Sequence, residues 1–113
     1  MAVDFFLKGL GKNKDDLKIV LTEISKENPD VSFEQQGGEY RCRFKTKDKC
    51  GLFYEETPEG IEAQLSSNAY FTVYMEWIIY QIGMRWKDKL KVNDPTEGDM
   101  KWEDIKVTTI PDI

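Results

Sequence analysis

A chain of 113 residues can build one modest hydrophobic core, and 40% apolar with 33% charged residues excludes global disorder. It has no histidine, which removes Ser-His-Asp and Cys-His nucleophilic machinery, His metal ligands and a near-neutral imidazole acid or base. A net charge of −5 opposes the counterion release that supplies most nucleic-acid affinity, so no nucleic acid is expected as a partner.

One domain is expected over residues 1–113. The N-terminus MAVDFFLKGLG lacks the basic region of a secretory signal. The apolar run 69–84 is short for a bilayer span and has Glu76 at its middle. The expectation is a cytoplasmic protein without membrane contact.

Val3 to Leu10 reads as a short apolar helical piece ending at Gly9 or Gly11. Asn13 then supplies an N-cap with Asp16 in the first turn. Leu17, Val20, Leu21 and Ile24 repeat at helical spacing until Asn28-Pro29 stops the helix.

From Val31 the period changes to two. Val31–Gln35 alternates, Gly37-Gly38 signals a hairpin, and Glu39–Thr46 alternates again. Lys47-Asp48-Lys49 is expected to turn the chain into Leu52–Glu55. Thr57-Pro58-Glu59-Gly60 makes a type I turn into Ile61–Leu65. The prediction is a four-stranded antiparallel meander. With that turn Cys42 faces residues near Phe53 rather than Cys50, which disfavours a disulfide. Two thiols without histidine make no zinc site, so neither metal nor cofactor is expected.

Ala69–Lys91 fits two templates. Phe71, Val73, Met75, Trp77 and Ile79 alternate as in a strand, but a 4-3-4 repeat continues past residue 80, and Ser67 or Asn68 offers an N-cap. A helix is preferred. It carries two apolar stripes, one of Phe71, Met75, Ile78, Ile82 and Trp86 and one of Val73, Trp77, Tyr80 and Met84 flanked by Tyr70 and Tyr74. The first is assigned to the core. The tail from Val92 has turn signals at Asp94-Pro95 and Glu97-Gly98-Asp99 and a candidate strand at Ile105–Thr109. The expected fold is thus α+β: N-terminal helices, the meander, one long aromatic helix on it, and a C-terminal strand or tail.

Two features point to binding. The second stripe is rich in Trp, Tyr and Met, residues enriched at interfaces, which nominates Tyr70, Val73, Tyr74, Trp77, Tyr80 and Met84 as partner-binding residues. Arg41, Arg43 and Lys45 fall on odd positions of one strand and form a cationic ridge, or else a solvent row paired with neighbouring carboxylates. No catalytic constellation is present; Glu55, Glu56, Glu59 and Glu62 surround a turn. The expectation is a small acidic, non-enzymatic protein-binding module of inhibitor, immunity-protein or chaperone type. Its partner is another protein, such as a basic toxin or effector. A homodimeric structural or ligand-binding domain is the alternative, and a carboxylate-dependent enzyme a lesser one.

Overall fold

The computed structural model describes residues 1–87 and 89–111. Ala2–Lys8 forms a strand, β1, in place of the expected N-terminal helix. Val3, Phe5 and Leu7 turn toward the core and alternate with Asp4, Phe6 and Lys8. The outward Phe6 completes a continuous apolar run, and so short a run does not distinguish strand from helix.

Helix α1, Lys14–Glu27, starts where Asn13 Oδ1 accepts from the N–H groups of Asp15 (3.0 Å) and Asp16 (3.2 Å). Leu17, Val20, Leu21 and Ile24 are its buried stripe. Strands β2 (Val31–Gln36), β3 (Glu39–Phe44), β4 (Lys47–Thr57) and β5 (Gly60–Asn68) follow as a meander. A 3-10 turn at Ala69–Phe71, with Asn68 Oδ1 accepting from the Tyr70 N–H, leads into helix α2, Thr72–Trp86. The chain ends in β6 (Lys91–Asp94), β7 (Gly98–Met100) and a 3-10 turn at Trp102–Asp104.

Among the described residues the four-stranded sheet is therefore corrected to seven antiparallel strands with two helices, in the order β2-β3-β4-β5-β1-β6-β7. The fold remains α+β. β1 lies between β5 and β6, pairing Phe5 with Leu65 and Leu7 with Val92. β6 and β7 are too short, at four and three residues, to display a period of two. Ile105–Thr109 contains no strand; Ile105 is buried in the core.

The β3–β4 hairpin also turns two residues earlier than expected. Lys45 and Thr46 form its two-residue loop with φ of +50° and +68°. Neither residue type advertises a left-handed conformation, whereas the polar run after them looks like a turn. The shift places Cys42 opposite Cys50, correcting the expected register, and a bulge follows at Cys42/Arg43. Both thiols are free and buried.

Both helices pack on one face of the sheet. There Phe44 meets Tyr74 and Trp77 edge-on, with centroids 4.8 and 5.6 Å away. Such ring pairs contribute about 0.5–1.5 kcal/mol beyond area burial. The Arg85 guanidinium, nearly buried, joins α2 to α1 through Glu27 (2.8 Å) and Glu23 (3.4 Å). The opposite face has no helix over it among the described residues. Among the described residues no helix is long and apolar enough to cross a membrane.

Candidate functional site

On that uncovered face the central row runs Glu39, Phe53, Gln64, Phe6, Asn93 and Asp99 across β3, β4, β5, β1, β6 and β7. Phe6 and Phe53 are 41% and 45% exposed, large for aromatic residues in the interior strands of a sheet. Their strands are two spacings apart, roughly 10 Å at the usual interstrand distance. Phe53 lies over Gly51, whose missing Cβ would come within 3.2 Å of the ring. Between the rings Gln64 forms a floor, its amide donating to Asp4 at 3.1 Å, while Ser66 donates to the same oxygen. The resulting hollow, 300 Å³, is also bordered by Glu55 and Glu62.

Phe6 is shared with a larger groove of 790 Å³ at the β6–β7 end of the sheet. Four lysines line it: Lys8, Lys87, Lys91 and Lys101. Lys8 and Lys91 are direct cross-strand partners. Lys8 reaches Glu62 at 3.7 Å, but Lys87, Lys91 and Lys101 form no ion pair among the described residues. Trp102 closes the groove. Its Nε1 donates to the Lys87 carbonyl (2.8 Å), its ring meets Tyr80 edge-on at 5.8 Å, and it lies against Gly83 of α2.

The residues nominated from sequence are dispersed. Trp77 (1% exposed) and Tyr74 are core residues beneath Phe44, correcting their assignment to an outer stripe. The sheet approaches α2 on the side where those rings project, so one broad apolar face serves the core. Tyr70, Val73 and Met84 are exposed, and Tyr80 is half-buried against Trp102.

Arg41, Arg43 and Lys45 lie away from that helix surface. Arg41 pairs with Glu39 at 2.8 Å; Arg43 is gripped by Glu34 and by Asp48, at 2.6 Å to the latter. The Asp48 hydrogen bond leads the interactions that raise the Arg43 pKa. Lys45 sits in the hairpin turn. Two members of the ridge are thus engaged within the sheet face, and the structure does not join them to Tyr70, Val73 or Met84.

Phe6, Phe53, Gln64, Lys91 and Trp102 went unnominated from sequence. The available signals were the apolar pairs Phe5-Phe6 and Leu52-Phe53, since only one of two neighbours on a strand can face the core.

The chemical inventory is sparse. The Cys42 S–H donates to Cys50, and this, followed by burial, holds the Cys42 thiol well above its ordinary pKa and therefore un-ionised, the opposite of an activated nucleophile. Among the described residues no group of three or more Cys, Asp or Glu is placed to hold a metal ion. Glu55 and Glu62 stand opposite each other on the open face, and Glu56 accepts from the Lys14 N–H at 3.2 Å. No family model, curated protein or solved structure matches this chain significantly.

Proposed function

We propose that this chain is a small non-catalytic protein-binding module of the inhibitor, immunity-protein or chaperone kind, and that it holds its partner on the open face of the sheet. The observation that carries this reading is the pair Phe6 and Phe53, exposed on either side of Gln64 in the middle of an uncovered seven-stranded sheet. Rings in such a position offer a partner side chain a hollow with apolar walls and a hydrogen-bonding floor. Aromatic anchors of this kind account for most interface energy.

The partner's chemistry follows from the border of the hollow. Glu55 and Glu62 flank it, and the whole chain carries −5. A basic protein that seats an apolar side chain between the rings is the complementary occupant, because opposite potentials speed encounter and orient docking.

Affinity capture from the native source tests this with three baits: the wild-type chain, Phe53→Ser, and Ile19→Ser, which alters an exposed residue on α1. A basic protein retained by wild type and Ile19→Ser, and bound at least tenfold more weakly by Phe53→Ser, is the expected result. Equal retention by all three, or self-association as the sole interaction in light scattering, contradicts it.

A further inference from the structure

The lysine-lined groove has a charge arrangement that the fold does not require. Like charges directly opposite on antiparallel strands are destabilising, yet Lys8 and Lys91 are cross-strand partners on the same face. Lys101 and Lys87 add two more cations to the same groove, in a protein that is acidic overall. Among the described residues Lys8 alone of the four reaches a carboxylate, while Asp99, on the rim, accepts instead from the Asn93 amide at 2.9 Å. Glu103 is the other acid among the described residues of the lining, where cations outnumber acids four to two. Self-repelling, mostly unpaired cations facing one cavity are relieved by an anion placed among them.

The remaining walls say what kind of anion. Phe6, Trp102, Met100 and Val92 are among the groove's apolar lining. Trp102 is held by its indole hydrogen bond and by its seat on Gly83, so it presents a fixed apolar surface. A volume of 790 Å³ falls within the range of small-molecule clefts. Several lysines acting as point charges suit the concentrated double charge of a phosphate better than the single charge of a carboxylate.

We propose that this groove binds an organic phosphate carrying a planar ring, a mononucleotide by class, with the phosphate among Lys8, Lys91 and Lys101 and the ring against Phe6 and Trp102. The site is separate from the partner-binding hollow except for Phe6, and the inference does not rest on the partner-binding reading.

Isothermal titration calorimetry of the full chain with adenosine 5′-monophosphate, adenosine, inorganic phosphate and benzoate tests it. The nucleotide is expected to bind at least tenfold more tightly than the other three, with affinity falling as salt rises. Lys91→Ala and Lys101→Ala, both at surface positions, should each weaken it at least fivefold, and Phe6→Ala should do the same without abolishing phosphate binding. Phe53→Ser, outside the groove, should bind the nucleotide as wild type does, so failure here and failure of the partner-binding reading are separately visible. Absence of nucleotide binding at millimolar concentration, equal binding of benzoate, or unchanged affinity in both lysine variants overturns the proposal.

Discussion

Glu76 illustrates how one side chain sets a cost that the rest of the fold absorbs. It sits on α2 among buried neighbours, and partial burial raises its carboxyl pKa above the ordinary value. In the unfolded chain the group ionises first as pH rises, so the unfolded state holds fewer protons across that window and stability falls with rising pH. Glu76→Gln is therefore expected to be more thermostable than wild type at pH 7, with the gap closing near pH 4, where the native carboxyl is also protonated. Thermal denaturation of both proteins checks this; an equal gap at both pH values contradicts it. Gly83 is a second instructive residue. A Cβ there would lie 2.3 Å from the Trp102 ring, so a glycine that weakens α2 locally is what allows the C-terminal segment to dock. Nothing near Gly83 in sequence marks this, because the contacting ring is 19 positions away.

At the scale of elements, legibility tracked the range of the interactions. α1 was readable because its cap, its stripe and its stop at Asn28-Pro29 are all local. The β2–β3 hairpin was readable from Gly37-Gly38 for the same reason. β1 was not, since Phe5 and Leu7 acquire strand geometry from partners 60 and 56 residues away, Leu65 and Ala63. The stripes of α2 were visible, but which one the sheet would cover was not, and Tyr74 and Trp77 went inward. The β3–β4 turn failed for a different reason: Lys45-Thr46 adopts positive φ without the Asn-Gly chemistry that makes it cheap. Replacing the pair by Asn-Gly is expected to stabilise the protein by about 1 kcal/mol, seen as a higher urea midpoint at unchanged slope. A lower midpoint would show that the loop is not in the left-handed region.

For the whole molecule, the decisive property is one-sidedness. Among the described residues seven strands accept two helices on one face and leave the other without one, so residues that periodicity marks merely as outward become a continuous surface. That is why the candidate site was hardly legible: Phe6, Phe53 and Gln64 belong to three strands and meet only after the sheet assembles. The charged ridge was legible as a row, but the pairing of Arg43 with Glu34 and Asp48 depends on register. Two competing surfaces now exist, the open face and the exposed remnant of the α2 stripe at Tyr70, Val73 and Met84. Amide and side-chain NMR shifts on titration with the captured partner separate them most directly. The account predicts the largest changes at Phe6, Phe53, Gln64 and Glu62, with Tyr70, Val73 and Met84 unmoved; changes confined to the helix residues would contradict it.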